Sequence, residues 1–425
     1  MKNILIIVSF VCFVIGPVDA QHVEDRQIIR IEKDVQKRTE LLELNLDFLM
    51  EKEGAIYVVA SPDDLMALNA LNIPYVTESH TFYPREKGPF TIQSGVNGEF
   101  HSYFELERDL MELADLYPDL AQVIDLGDSL EQRNIYALRI SDNVGVPENE
   151  ASVIFLGCHH AREWISVEVP FLLGKYLIEN YSTDTEVRRL VDNCDIWIVP
   201  LVNPDGLEYS IHFYRYWRKN MRNNMDGTYG VDLNRNYGFN WGWDNLGSSP
   251  DTSSETYRGT GPFSEPESQA VRDLFTQINF QALVSYHNYS QVILYPWGYT
   301  EEASDQEALL REIGDEMSQL MQPVNGRYYP AERAGAGFYL TNGDTTDWSF
   351  GTYGIPSYTI ELPPNSSLTG EFFNAESDIQ PIFNENLPAA LYLIDWCIQT
   401  HSSQSQNSYI HERPRQKEPN QFIIY

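Results

Sequence analysis

The chain has 425 residues, of which 42% are hydrophobic and 13% aromatic. That is enough apolar material for a large core, and it excludes a wholly disordered polymer; the length calls for two domains, or one large domain with accessories. Lys and Arg number 29 against 62 Asp and Glu, a formal net charge of −33, which argues against non-specific nucleic-acid binding and against docking on anionic membranes.

Lys2 opens the chain, an apolar run covers 4–15, Gly16 and Pro17 break it, and Val18, Asp19 and Ala20 form a small-residue cleavage site. This reads as a signal peptide over 1–20, cut before Gln21, on an exported protein; the run is too short for a permanent anchor. Cys12 leaves with it. Cys158, Cys194 and Cys397 allow at most one bridge and have no zinc-type spacing, so buried thiols are expected at Cys158 and Cys194.

Residues 21–87 read as a small unit of ferredoxin-like α+β pattern. Strands are predicted at "RQIIRIE", "GAIYVVA" and "IPYVTE", and helices at "KRTELLELNLDFLM" and "SPDDLMALNALN". The Pro-containing stretch "SHTFYPREKGPF" offers Arg85 and Lys87 to a protease and leads into a linker over 88–94. From 95 to 400 the pattern is α/β. "SYFELERDLMELADLYP" is an amphipathic helix, and "AQVIDLG", "IYALRISDN" and "ASVIFLG" are strands. A long helix, "VEVPFLLGKYLIENY", precedes the strand "CDIWIVPLV". "FQALVSYH" and "PSYTIEL" are buried-type strands, and "NLPAALYLIDWCIQ" is a closing helix. Near-continuous apolar strands alternating with helices imply a central twisted sheet, mostly parallel or mixed, covered by helices on both faces. The tail, 401–425, is polar and structureless by composition.

Nine histidines occur, and one opens an H-x-x-E, from His160 to Glu163. The motif sits where "ASVIFLG" ends and a helix begins, at the carboxyl edge where open α/β sheets bind ligands. A neutral imidazole and a carboxylate three residues apart suit Zn²⁺, which needs a third protein ligand and one open position when catalytic. His287, ending "FQALVSYH", is the best third ligand, with a hydrogen-bonded core histidine as the competing role. His159 competes with His160, since it stands four residues before Glu163. Glu361 ends "PSYTIEL"; near zinc it would take a proton from water and pass it to a leaving amine, and otherwise it is an ion pair at a sheet edge. "YRYWRKNMR" and "VDLNRNYGFNWG" set Arg218 and Arg235 among aromatics and amides. Guanidinium groups grip carboxylates and polarise carbonyls, so the set suits a substrate that is itself a carboxylate.

"HHAREW", "WRKN", "VDLNRNYG", "SYHNYSQVILYPWGY", "SSETYRGTGPFSEPE", "NGDTTDWSFG" and "YTIEL" together resemble the zinc metallocarboxypeptidases of carboxypeptidase A type, closest to the carboxypeptidase T branch. The resemblance runs through most of 95–400 and makes 21–87 an activation propeptide. It implies that His160, Glu163 and His287 ligate zinc, that Glu361 is general base and then acid, and that Arg218 stabilises the oxyanion. Asn234 and Arg235 would hold the substrate's terminal carboxylate, with Tyr339 closing over it. Arg162 and Tyr289 would line neighbouring subsites. Asp344 and Thr346 resemble the branch of mixed specificity, which takes large apolar C-terminal residues and also basic ones. That branch binds calcium through acids near "SDNVGVPENEAS". Pro147 and Ser152 stand where acids are expected, which counts against structural calcium, although Asp142, Glu148 and Glu150 remain.

The expected protein is a secreted zymogen: a monomeric zinc exopeptidase acting on peptides with a free C-terminal carboxylate, released by an activating protease, with no nucleic-acid or membrane partner. The alternatives are a murein-peptide or glutamate-trimming peptidase on the same scaffold, or an inactive binding protein of this fold.

Overall fold

The computed structural model describes residues 27–32, 44, 46–52, 55–60, 62–77, 97–146, 148–363 and 372–408. The expected signal peptide, linker and last part of the tail lie outside them. The chain divides into two compact units.

The small unit has strands β1 (Gln27–Glu32), β2 (Asp47–Lys52) and β3 (Ala55–Ala60), helix α1 (Pro62–Ala70) and strand β4 (Tyr75–Thr77). The sheet order is β2-β3-β1-β4 and every pairing is antiparallel. Alternate residues Ile29 and Ile31 of β1, and Val58 and Ala60 of β3, are buried, as a one-faced sheet requires. The strand order is that of a ferredoxin-like unit. One expectation fails here. The helix predicted over 37–50 gives way from Asp47 onward to β2, where Phe48 pairs with Val58 and Glu51 with Ile56. Helix preference is worth only tenths of a kcal/mol per residue, and a full hydrogen-bonded ladder outweighs it. Residues 37–43 lie outside the described part.

The large unit carries β5 (Ala121–Asp128), β6 (Asn134–Ile140), β7 (Ala151–Gly157), β8 (Cys194–Val199), β9 (Ala282–Asn288), β10 (Val292–Tyr295), β11 (Ala331–Arg333) and β12 (Ser357–Leu362). They form one eight-stranded sheet in the order β11-β10-β12-β9-β7-β8-β6-β5. The central strands β12, β9, β7 and β8 run parallel, β10 pairs parallel with β11, and β10–β12, β8–β6 and β6–β5 are antiparallel. The sheet is therefore mixed, as expected. Its helices are α2 (Tyr103–Leu116), α3 (Ile165–Asn180), α4 (Thr185–Val191), α5 (Pro204–His212), α6 (Pro266–Gln277), α7 (Glu307–Asn325), α8 (Thr345–Tyr353) and α9 (Ile379–Ser408).

All seven residues of β7 are buried, and successive side chains enter opposite cores. Val153 and Phe155 join a cluster with residues of α2, α3, α7 and α9, while Ile154 and Leu156 join one with residues of α6 and Trp348 of α8. A strand flanked by helices on both faces has no polar side to display, which is why "ASVIFLG" reads as a continuous apolar run. The sequence reading placed neither β10 and β11 nor the helices α4 to α8. It also ended the closing helix too early: α9 continues to Ser408, through residues assigned to a structureless tail. Extending an established helix fixes one residue per hydrogen bond and needs no new nucleus, so polar composition alone does not stop it. Cys158, Cys194 and Cys397 are buried free thiols. Among the described residues, no helix is long and apolar enough to cross a membrane.

Candidate metal and peptide site

Strand β7 ends at Gly157, and the chain turns sharply into α3. A Cβ at Gly157 would lie 2.2 Å from the Ser166 carbonyl oxygen and 2.7 Å from that of Pro200. Only glycine permits this approach of helix start to strand end. The next residue, Cys158, is held in the left-handed region at φ +51, a local strain of the kind that clusters at functional turns. Ala161 N–H donates to the Arg218 carbonyl at 2.9 Å, which fastens the "HHAREW" turn to "WRKN".

The turn carries His160 and Glu163, with Nδ1 of His160 2.8 Å from Oε1 of Glu163. His287 arrives on β9, its Nδ1 3.0 Å from Oε2 of Glu163 and 3.1 Å from Nδ1 of His160. One ligand atom from each of the three lies within 4.8 Å of the others, and all three residues are buried. Two imidazole nitrogens and a carboxylate facing one point form a donor set for a divalent ion of zinc type. The outward nitrogens are also occupied, as metal-binding histidines require: Nε2 of His160 lies 3.1 Å from Oδ1 of Asp232, and Nε2 of His287 lies 3.1 Å from Oγ of Ser285. The residues present therefore fit Zn²⁺. His159 points away, with Nε2 2.8 Å from Tyr237 Oη and Nδ1 3.2 Å from Ser285 Oγ. The choice left open by spacing falls on His160.

Glu361 is placed by strand register, since it pairs with His287 across the parallel β9–β12 ladder. Burial, then the nearby Glu163 carboxylate, push its carboxyl up to about 8, against the pull of His160, Arg218 and Arg162. Burial alone would also raise Glu163, but His160 and His287 hold it well below the usual carboxylate range. The two neighbouring carboxylates are thus shifted in opposite directions.

Asp232 is the residue that sequence reasoning passed over. It is fully buried. Oδ1 faces His160 and accepts from Asn234 N–H at 3.0 Å, while Oδ2 accepts from Nε and Nη2 of Arg218 at 3.1 and 2.8 Å. Burial would raise its pKa, but Arg218, Arg235 and His160 more than offset that and hold it well below the ordinary range. It thus joins the His160, Glu163 and His287 cluster to the arginine cluster. The available signal was an acid inside "VDLNRN", two residues before Asn234.

Arg235 donates to the carbonyls of Gly247 and Asn234, both at 2.8 Å, and its guanidinium lies 5.8 Å from the Tyr339 ring. Asn234 Oδ1 accepts from N–H and Oγ1–H of Thr345 at 2.9 and 2.8 Å. Those bonds bring the start of α8 to the arginine cluster. Asp344 caps that helix, Oδ1 accepting from Asp347 N–H at 2.9 Å and from Thr346 Oγ1–H at 2.7 Å, and Oδ2 accepting from Thr341 Oγ1–H at 2.7 Å. Its role as a cap was not read from the sequence. Arg162 and Tyr289 meet on Phe372: the guanidinium sits 4.3 Å above the ring, and Tyr289 meets it edge-on at 4.8 Å. Asp142, Glu148 and Glu150 also converge at a partly exposed place. Ser152 is part of β7, and its N–H is bonded to Gln281. Calcium has no part in the function proposed below.

Comparison with known proteins agrees with this geometry. The zinc carboxypeptidase family (Peptidase_M14) matches residues 106–389. The chain is 33% identical over 301 residues to carboxypeptidase O of Bos taurus, covering 70% of this chain and 78% of that one. It is 32% identical over 354 residues to a zinc carboxypeptidase of Saccharothrix mutabilis subsp. capreolus, covering 79% and 80%. Among solved structures, thrombin-activatable fibrinolysis inhibitor superposes with a TM-score of 0.71 at 25% identity, covering 88% of this chain and 99% of that chain.

Proposed function

The chain belongs to the zinc carboxypeptidase family, and from that premise we propose that it is exported as a zymogen and releases single residues from peptide C-termini. The carrying observation is the convergence of His160 Nδ1, His287 Nδ1 and the Glu163 carboxylate beside Glu361. These three residues would hold zinc. When bound, zinc supplies Lewis acidity that lowers the pKa of a water and polarises the scissile carbonyl.

Glu361, set opposite His287 by the β9–β12 register, accepts the proton of the attacking water and delivers it to the leaving amine. Arg218, fixed by Asp232, stabilises the oxyanion that develops on the scissile carbonyl. Arg235 and Asn234 hold the terminal carboxylate, and Tyr339 covers it. That restraint makes cleavage terminal, because only the last peptide bond then lies at the proton carrier. Arg162 and Tyr289 contact upstream residues of the substrate, through the wall they share with Phe372. Asp344, which accepts from the neutral donors Thr341 Oγ1–H, Thr346 Oγ1–H and Asp347 N–H, favours basic terminal side chains over acidic ones, while the apolar walls accept large hydrophobic ones. Residues 1–20 are the signal peptide and 21–87 the propeptide, removed by a protease acting near the 88–94 linker, and the mature enzyme acts as a monomer.

The test is mass spectrometry of Phe-, Lys- and Glu-terminated peptides incubated with the chain before and after proteolysis in the linker, with and without a zinc chelator. Loss of one C-terminal residue from the Phe and Lys peptides, only after cleavage and only without chelator, is expected. Internal cleavage or indifference to the chelator refutes the reading. Glu361→Gln is expected to lower kcat by about 10²- to 10⁴-fold with zinc retained; unchanged turnover removes the role given to Glu361.

A further inference from the structure

His159 is fully buried, adjoins His160 in sequence, and takes no part in the donor set or in the chemistry above. Its surroundings form a continuous line of hydrogen bonds. His287 Nε2 is 3.1 Å from Ser285 Oγ, Ser285 Oγ is 3.2 Å from His159 Nδ1, and His159 Nε2 is 3.2 Å from Thr345 Oγ1. Thr345 Oγ1 in turn donates to Asn234 Oδ1 at 2.8 Å. The Tyr237 hydroxyl, 2.8 Å from His159 Nε2, closes the side of the line, and the His159 and His287 rings stack at 5.5 Å. Ser285, Tyr237 and Thr345 are as fully buried as His159, so an unmade link costs the desolvation of the group left unpaired.

Proton bookkeeping gives this line one direction. Nδ1 of His287 faces Glu163 and His160, so with a cation there it offers its lone pair and the ring proton resides on Nε2. That proton goes to Ser285 Oγ. The single hydroxyl hydrogen of Ser285 then goes to His159 Nδ1, which places the His159 proton on Nε2. Nε2–H donates to Thr345 Oγ1, shared with Tyr237 Oη, and the Thr345 hydroxyl hydrogen goes to Asn234 Oδ1. The Asn234 oxygen, which Thr345 N–H already holds at 2.9 Å, takes this hydrogen as its second, and the amide nitrogen is the group left to present to a substrate carboxylate. Reversing the His159 tautomer sets its Nε2 lone pair against Thr345 Oγ1 and takes the acceptor from the Ser285 hydroxyl hydrogen.

We propose that His159 is a positioning residue at the centre of a buried relay, through which cation binding at His287 reinforces the orientation that Thr345 N–H gives Asn234 for the substrate's terminal carboxylate. The idea rests on the carboxypeptidase reading above and deepens it. By linkage, the coupling runs both ways: a bound terminal carboxylate tightens the metal site, and the metal tightens carboxylate binding.

The test uses the full chain and two readouts that need no turnover. Zn²⁺ affinity is measured by competition with a chromophoric chelator, and 3-phenylpropanoate affinity by calorimetry on zinc-loaded protein. Ser285→Ala breaks the link beside the metal ligand, Thr345→Val the link beside Asn234, and Thr345→Ser keeps the hydroxyl. Each damaging variant weakens its near partner by about 10- to 100-fold. The relay adds the far effect: Thr345→Val weakens Zn²⁺ binding, and Ser285→Ala weakens 3-phenylpropanoate binding, each by about fivefold. Thr345→Ser restores both, and the double variant is no worse at either site than the worse single one. Damage confined to the near site in both variants overturns the relay and leaves the carboxypeptidase reading intact. An unaltered chain that binds neither Zn²⁺ nor 3-phenylpropanoate overturns that reading itself.

Discussion

Asp232→Asn is the sharpest single test of how the site is held. The substitution keeps shape and volume but removes a buried charge that receives His160 on one oxygen and, on the other, Arg218 at 3.1 and 2.8 Å. An asparagine amide nitrogen on either side meets a donor, the His160 Nε2–H or the Arg218 fork, so one former partner is left facing a donor. Loss of the group that orients a metal-binding histidine lowers metal affinity by about 10- to 100-fold, or about 1.4–2.7 kcal/mol. Arg218 loses its buried counter-charge, and stability is expected to fall by about 3 kcal/mol. A displaced Arg218 also lowers kcat by about 10²- to 10³-fold, the cost of one missing oxyanion donor. Chelator competition, calorimetric melting and steady-state hydrolysis of a Phe-terminated peptide report the three effects separately. Because Asp232 is held well below the ordinary carboxylate range, moving from pH 8 to pH 6 leaves it ionised, and the loss of stability that the variant shows should not arise through Asp232 in the unaltered chain over that range. A folded Asp232→Asn protein with unchanged zinc affinity and unchanged kcat refutes the claim that this carboxylate braces both halves of the site.

Two further outcomes follow from titrating groups away from the metal. His101 places Nδ1 2.7 Å from Glu168 and Nε2 3.2 Å from Asp109; burial lowers its pKa, but the two carboxylates outweigh that and the net shift is upward from 6.5. A raised folded-state value means the stabilisation is complete below the unfolded pKa, about 6.5, and disappears as pH rises through the folded one. His101→Gln should therefore lower Tm at pH 5.5, by about 2 kcal/mol of stability, and have little effect at pH 9; equal effects at both would refute the pairing. Glu267 shares the Asn220 amide with Glu265, its Oε1 has no partner among the described residues, and burial, with Glu265 adding, pushes it up to about 8. It favours the fold while protonated, so this contribution is complete below about pH 4.3 and lost as pH passes 8. Glu267→Gln should melt progressively higher than the unaltered chain between pH 5 and pH 9, and a constant difference across that range would contradict the assignment.

Much of this was written in the local sequence. The H-x-x-E at a strand end, His287 and Glu361 closing two apolar strands, and Arg235 among amides were legible as candidates from residue type and short spacing, while the family resemblance assigned their roles and that of Asn234. The alternation of strands and helices gave the sheet. A residue's period and neighbours fix which element it joins, because these act over a few residues. What the tertiary structure decided depends on contacts between segments far apart in the chain. The register of β12 on β9 sets Glu361 beside His287. The β2–β3 ladder turns an apparent helix into a strand. The burial of Asp232 between His160 and Arg218 makes an ordinary acid the brace of the site. The H-x-x-E pattern favours His160, but spacing does not exclude His159; only the fold turns one towards Glu163 and the other towards Ser285 and Tyr237. Orientation of a side chain is set by the partners that surround it, and those partners here come from strands and turns more than seventy residues away.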